Sequence, residues 1–315
     1  MPQYLPEIKL FTGNANPEFA KKVANHLKKP LVDCSISRFA DGEIQIEINE
    51  SVRGCRCFVI QSTCPPANEH YMELFLMLDS LRRASATEIT VVMPYYGYSR
   101  QDRKVSPRAP ISAKAVAQLC ESSGANRILA VDLHSTQIQG FFNIPVDNLF
   151  TVNVLAEKWL ELEGLSGEDC VVISPDAGGV SRARAFASKL KCNLGIIDKQ
   201  RINPNKAKAL RVIGNVEGKT AIIIDDMIDT AGTLTQATEV LLKSNAKAVY
   251  AMGTHPVLSD PAIERIENSG LTKVFVTDTI PLKRASKKIH VLSVSELVAN
   301  SIYNIQNNQS ISSLF

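Results

Sequence analysis

Short, continuously apolar runs alternate with stretches in which apolar positions recur every three to four residues. The runs fall at 8–12, 57–62, 89–94, 127–133, 171–174, 194–197, 221–224, 249–254, 274–277 and 290–294. Helical periodicity spans 17–27, 69–83, 112–121, 152–162, 180–190, 234–243, 261–268 and 295–305. Strands apolar on both faces belong in parallel sheets covered by helices. The alternation therefore predicts an α/β fold. Asn16 before Pro17 marks a helix start, because a short polar side chain accepts from a first-turn amide and proline has no amide to leave unpaired.

One segment follows another period. Ile44, Ile46 and Ile48 share one strand face, and Gln45 and Glu47 the other. Asp41-Gly42 just before it suits a type I′ turn, so an antiparallel hairpin is expected here. The strand–helix alternation occurs twice, with a seam near Phe150. At 315 residues, two domains are expected. The predicted division is 1–149 and 150–299, with a helix over 300–315 returning to the first domain.

Composition removes several classes. Lys and Arg number 35 against 32 Asp and Glu, a net charge of +3, which is too balanced for a chain that coats nucleic acid. No apolar run approaches the roughly 18 residues of a membrane helix. The first residues lack the charged-then-apolar order of a signal peptide. Seven cysteines without a CxxC pair read as reduced thiols of a cytoplasmic protein. Cys55, Cys57 and Cys64 offer a soft-metal alternative, but no histidine lies near them in the pattern of a zinc site.

The charge is focused rather than spread. Arg100, Arg103, Lys104 and Arg108 against Asp102 give the connection 95–110 a charge of +3. Lys199, Arg201, Lys206, Lys208 and Arg211 give 199–211 a charge of +5, leaving −5 on the rest. Structureless connections of this length are usually functional. In the first, Tyr95, Tyr96 and Tyr98 offer stacking faces beside the cations, a combination that suits a nucleotide polyphosphate. In the second, Lys199 and Arg201 open a mobile basic loop that closes on a phosphate.

Two glycine-containing segments invite a phosphate reading. Gly214 to Thr220 resembles a P-loop, but one residue is missing between its glycines and an apolar strand follows. No helix N-terminus is then aimed at a phosphate, so a turn between strands is expected. The stronger candidate is IIIDDMIDTAGT, 222–233. A buried strand ends at Asp225 and Asp226, and Asp229, Thr230, Ala231, Gly232 and Thr233 turn into a helix. Small residues let amides approach an anion, the threonines add donors, and the helix terminus adds positive charge. The acids suit sugar hydroxyls or a hydrated magnesium ion, or they serve as helix caps. Asp132 and His134, two apart at a strand end, are expected to share a face. They read either as ligand-facing groups or as a histidine held by its neighbour.

Residues 222–233 resemble the ribose-phosphate signature of type I phosphoribosyltransferases. With RFADGE, INESVRG, YSRQDRK, RAPISAK, DLHSTQIQGFF and SPDAGG, the whole chain resembles the ribose-phosphate pyrophosphokinases. The resemblance implies two similar α/β domains of the type I phosphoribosyltransferase-like fold, each a mainly parallel sheet under helices, with the hairpin in the N-terminal half. It implies transfer of the β,γ-diphosphoryl group of MgATP to the C1 hydroxyl of ribose 5-phosphate.

By the same resemblance, Lys199 and Arg201 are catalytic. Arg201, Asp225, Asp226, Asp229, Thr230, Ala231, Gly232 and Thr233 hold ribose 5-phosphate. Phe39, Asp41, Gly42, Glu43, Arg100, Gln101, Asp102 and His134 hold ATP. His134 and Asp176, with Asp132 nearby, fall at Mg²⁺ positions. Ser51, Arg53, Ser85, Arg108, Ser310, Ser312 and Phe315 match a regulatory site where inorganic phosphate activates and ADP inhibits. A hexamer built from dimers is implied, and neither nucleic acid nor membrane is a partner. A nucleobase phosphoribosyltransferase, or a non-catalytic paralogue that binds phosphoribosyl diphosphate, is the alternative. Asn143, Gln200 and Ala231 depart from the family pattern. Ala231 costs little if its φ is negative and more if it is positive.

Overall fold

The computed structural model describes residues 6–200 and 209–314. In chain order the first half carries β1 (Ile8–Thr12), α1 (Pro17–Leu27), β2 (Cys34–Arg38), β3 (Ile44–Ile48), β4 (Arg56–Ile60), α2 (Ala67–Arg83), β5 (Glu88–Met93), α3 (Ser112–Ser123), β6 (Arg127–Val131), a 3-10 turn (Thr136–Phe141) and β7 (Val146–Leu149). The second carries α4 (Val152–Glu163), β8 (Cys170–Ser174), α5 (Val180–Leu190), β9 (Asn193–Gln200), β10 (Ala209–Ile213), β11 (Thr220–Ile228), α6 (Gly232–Lys243), β12 (Ala248–Pro256), α7 (Ala262–Glu267), β13 (Val274–Thr277), β14 (Ile289–Leu292) and α8 (Ser295–Gln306).

The chain forms two compact units, one of 1–150, 279–281 and 294–315, the other of 151–278 and 282–293. Among the described residues, the first unit has a five-stranded parallel sheet ordered β1-β4-β5-β6-β7. Its strands are apolar on both faces, as the sequence pattern requires. Phe11, Val59, Leu74, Leu78, Val91 and Ile128 are buried together between sheet and helices. Asn16 caps α1, its Oδ1 accepting from the Phe19 amide at 3.3 Å. The returning helix α8 packs on α1. Arg56 Nη1 donates to Gln306 O at 3.2 Å, and Gln306 Nε2 to Pro6 O at 2.8 Å.

The hairpin pairs β2 with β3 antiparallel, from Cys34 opposite Ile48 to Arg38 opposite Ile44. Its connection is longer than the type I′ turn expected from Asp41-Gly42. The Gly42 amide donates to Phe39 O at 2.9 Å, which makes Ala40 and Asp41 the central residues. Neither has the positive φ that type I′ demands, and only Gly42 does, at 95°.

The second unit has a seven-stranded sheet, β10-β9-β8-β11-β12-β13-β14, with β10 antiparallel at one edge and the other pairings parallel. From β8 the chain builds outward to β9 on one side and to β11 on the other. The switch in direction therefore lies between β8 and β11. Crevices at the carboxyl ends of strands at such a switch are where α/β sheets bind ligands. Buried residues cover both faces, including Ile173, Ile223 and Leu241 on one and Trp159, Phe186 and Ile222 on the other.

Two sequence expectations change here. The connection 199–211 is shorter than predicted, because Lys199 and Gln200 extend β9 and β10 begins at Ala209. Gly214–Thr220 is indeed a turn, joining edge strand β10 to central β11.

Candidate functional site

In the second unit, two loops flank the switch. The one after β8 carries Asp176, whose exposed side chain accepts from the Gly179 amide at 3.0 Å. Ser174 Oγ donates to Asp176 O at 2.6 Å. These bonds close a tight turn in which the backbone leads directly into α5.

The other loop follows β11. The strand does not end at the acid pair, as the sequence suggested. It runs on to Ile228, held by parallel pairing with β12 as far as Pro256. Asp225 and Asp226 therefore lie within the strand rather than at its end. Asp226 is only 3% exposed, and its amide donates to Asp225 Oδ1 at 2.9 Å. Arg182, in the first turn of α5, stands over both, its Nη1 3.4 Å from Asp226 Oδ1 and 3.9 Å from Asp225 Oδ1. Burial pushes the Asp225 carboxyl up to about 8, the like charge of Asp226 adds to the shift, and Arg182 opposes it. The upward shift favours the protonated carboxyl, the form that can donate to a sugar hydroxyl as well as accept from one.

Beyond Ile228 the chain passes half-buried Asp229 and exposed Thr230, then enters α6 at Gly232. Ala231 occupies the cap position at φ 57°, ψ 6°, with no side chain capping the helix. Its φ is positive, the costly alternative, and its methyl is buried in the core. The orphan amides of the first turn remain directed out of the helix end, where an anion is stabilised. Arg265 Nη1 donates to Thr230 O at 2.9 Å and holds the loop from α7. Thr233 is exposed in the first turn. Lys199 and the departing Gln200 lie at the end of β9. Arg201 lies outside the described residues.

In the first unit, β5 and β6 are neighbours, and so are the loops that leave them. The long loop after β5 and the DLHST loop after β6 are joined through Asp102. Its Oδ2 accepts from Ser135 Oγ at 2.7 Å and from Gln137 Nε2 at 3.2 Å. Gln101 is fixed on the other side, where its Oε1 accepts from Ser112 Oγ at 2.5 Å. Arg100 is exposed, as is His134. Asp132 and His134 do not alternate along a strand. β6 ends at Val131 and Asp132 adopts φ 40°, so the acid turns inward and the imidazole faces outward.

The tyrosines of the long loop are not stacking faces. Tyr95 and Tyr96 are buried, and Tyr96 Oη donates to Ala113 O at 2.8 Å. Tyr98 packs against Tyr71 and bonds to Asn68 Oδ1. Their bulk anchors the loop, while its cations Arg103, Lys104 and Arg108 stay exposed.

At the hairpin tip, Phe39 is 51% exposed. Asp41 Oδ1 accepts from the Glu43 amide at 3.1 Å. Arg38 Nη1 donates to Gly42 O at 3.0 Å, and its Nη2 pairs with Glu69 of α2 at 2.7 Å, which ties the tip to the helix.

The expected regulatory residues form two local pairs. Arg53 Nη1 donates to Ser85 Oγ at 3.2 Å, and exposed Ser51 precedes this turn. Ser310 and Ser312 hydroxyls meet at 2.6 Å. Arg108 stands exposed at φ 65°. Phe315 lies outside the described residues. Asn143 is turned to α3, its amide donating to Glu121 Oε1 at 2.6 Å. Among the described residues, no group of three or more His, Cys, Asp or Glu side chains is disposed to hold a metal ion.

Sequence reasoning missed Arg182, Arg265 and Arg38. Arg182 left a signal: a cation in the first turn of a helix opposes the dipole and calls for an acidic partner. Arg265 and Arg38 left none, since each acts across elements distant in sequence.

Fold and site together define a two-unit α/β protein with a mainly parallel sheet in each unit and a phosphosugar-type loop at the switch point of the larger sheet. Residues 8–124 match the N-terminal domain of ribose phosphate pyrophosphokinase, and 199–315 match the phosphoribosyl synthetase-associated domain. The chain is 54% identical to a ribose-phosphate pyrophosphokinase of Oceanobacillus iheyensis, covering 98% of this chain and 97% of the relative. It is 53% identical to that of Bacillus subtilis over the same shares. The crystal structure of phosphoribosylpyrophosphate synthetase from Mycobacterium smegmatis superposes with a TM-score of 0.91 at 43% identity, over 96% of this chain and 99% of that one. The chain belongs to the ribose-phosphate pyrophosphokinase family.

Proposed function

We propose that the protein transfers the β,γ-diphosphoryl group of ATP to the C1 hydroxyl of ribose 5-phosphate, giving 5-phosphoribosyl 1-diphosphate and AMP. The observation that carries this reading is the arrangement along and after β11, a close acid pair beside Arg182 followed by a helix start with no side-chain cap. It suits the hydroxyls and the phosphate of one phosphosugar, and it stands in a chain with full-length family relatives.

In this reading the 5-phosphate sits on Asp229 to Thr233, and Asp225 and Asp226 hold the ribose hydroxyls. Phe39 stacks on adenine, with Asp41, Gly42, Glu43, Arg100, Gln101, Asp102 and His134 around the nucleotide. The C1 oxygen attacks the β-phosphorus in line, and catalysis is mostly positioning and charge neutralisation. Lys199 and Arg201 stabilise charge on the transferring group.

Mg²⁺ accompanies the phosphates. Magnesium dehydrates reluctantly and takes one or two protein ligands beside substrate oxygens. By the family resemblance His134 and Asp176, with Asp132, would hold the ion, and His134 and Asp176 are each exposed within their own unit. When bound, the ion neutralises phosphate charge. Inorganic phosphate and ADP act at the site that includes Ser51, Arg53, Ser85, Arg108, Ser310, Ser312 and Phe315. The working assembly is a hexamer of dimers in the cytoplasm, a compartment that suits seven free cysteines.

AMP formation from ATP tests the proposal. It requires ribose 5-phosphate and Mg²⁺ together, and no AMP in their presence overturns it. K199A lowers the turnover rate about 10²–10³-fold, the scale of one transition-state donor.

A further inference from the structure

Cys170 is the first residue of β8, and Cys192 immediately precedes β9. The two strands pair in parallel, with Val171 opposite Asn193 and Val172 opposite Leu194. One step back, the register sets Cys170 beside Cys192. Neighbouring strands lie about 4.8 Å apart, inside the Cα separation of about 4.4–6.8 Å that a disulfide spans. In-register residues of parallel strands also turn their side chains to the same face. Accordingly, Cys192 packs against the buried cluster that contains Cys170.

We propose that Cys170 and Cys192 are a redox-active dithiol that closes to an intramolecular disulfide by exchange with a small-molecule disulfide. This modification site lies at the amino ends of β8 and β9, whereas the candidate ligand loops lie at carboxyl ends.

The roles of the two sulfurs differ. Cys170 is fully buried and Cys192 half-buried, so the incoming disulfide meets Cys192 first. The Cys192 thiol is made more acidic chiefly by its interaction with Cys170, with help from backbone amides and Lys219 against burial, while the Cys170 thiol is made less acidic. The more acidic thiol supplies the attacking thiolate. Cys192 Sγ attacks one sulfur of R–S–S–R, forming Cys192–S–S–R and expelling RS⁻, which takes up a proton. Cys170 then loses its proton and attacks Cys192 Sγ, and the second RS⁻ leaves. Two protein thiols are oxidised, and one small disulfide is reduced to two thiols.

The test uses the full chain and oxidised glutathione under native conditions, followed by alkylation and peptide mapping. Of the seven free cysteines, five remain open to alkylation after unfolding, and the missing two are recovered as one linked Cys170–Cys192 peptide. C170S retains a glutathione adduct on Cys192, since its resolving thiol is gone. C192S protects Cys170 from adduct formation. Seven alkylated cysteines in the native chain, or a link between other cysteines, overturns the proposal. An adduct on Cys170 in C192S as fast as on Cys192 in C170S overturns the order of attack. All three proteins are compared by circular dichroism before oxidation. If one serine variant is unfolded, the map of the native chain alone decides the pairing.

Discussion

Ser135 Oγ donates a 2.7 Å hydrogen bond to Asp102 Oδ2 and thereby ties the loop after β6 to the loop after β5. The carboxylate also accepts from Gln137, so one acid holds two donors of the DLHSTQ turn. Arg100 and Gln101 on one loop and His134 on the other thus have related positions before any nucleotide arrives. D102A is expected to raise the KM for ATP about 10-fold, the scale of one hydrogen bond to a charged group. The KM for ribose 5-phosphate stays unchanged. S135A has a smaller effect, and the double variant is no worse than D102A. Steady-state kinetics on the three proteins check this, and additive effects would remove the link.

The acid pair makes stability depend on pH. Asp225 has a folded-state value of about 8 against an ordinary 3.8, so the folded chain binds more protons than the unfolded one between these limits. Stability therefore falls as pH rises through that window, and the contribution is lost above it. Denaturation of the ligand-free protein across this range is expected to show the decline. D225N, which cannot ionise, flattens it. An unchanged slope in D225N would assign the titration elsewhere.

Ala231 carries opposing terms. Its left-handed φ of 57° costs roughly 1 kcal/mol for a residue with a Cβ, whereas its buried methyl contributes about as much. A231G is expected to unfold within about 1 kcal/mol of the native chain, because relief of strain offsets the lost methyl. A231V destabilises by at least ~2 kcal/mol, since a β-branched side chain tolerates this conformation poorly. Urea denaturation of both variants checks the sign.

Arg53 meets Ser85 on an exposed turn. R53A is expected to blunt activation by inorganic phosphate while leaving the KM for ATP within about 2-fold, since a surface contact of this kind contributes little to stability. Rate measurements over a phosphate series distinguish a regulatory role from none: an unchanged phosphate response rejects it.

The repeating apolar pattern determined the parallel sheets, the helices and the hairpin face, because helix and strand periods are local properties of the chain. The motif 222–233 was legible for the same reason, with its acids, threonines and glycine adjacent in sequence. Short strands such as β7, and β10 inside a basic stretch, escaped notice because polar residues interrupt their apolar runs, Asp147 and Asn148 in one and Arg211 in the other. Tertiary structure alone decided that Tyr95 and Tyr96 are anchors, that Asp132 turns inward, and that Ala231 has positive φ. It also joined Arg182 to Asp226 across 44 positions and Ser135 to Asp102 across 33. Such contacts follow from which strands become neighbours and how far each is held by its partner. Pairing with β12 carries β11 past the acids as far as Ile228, and no local pattern of residues encodes that.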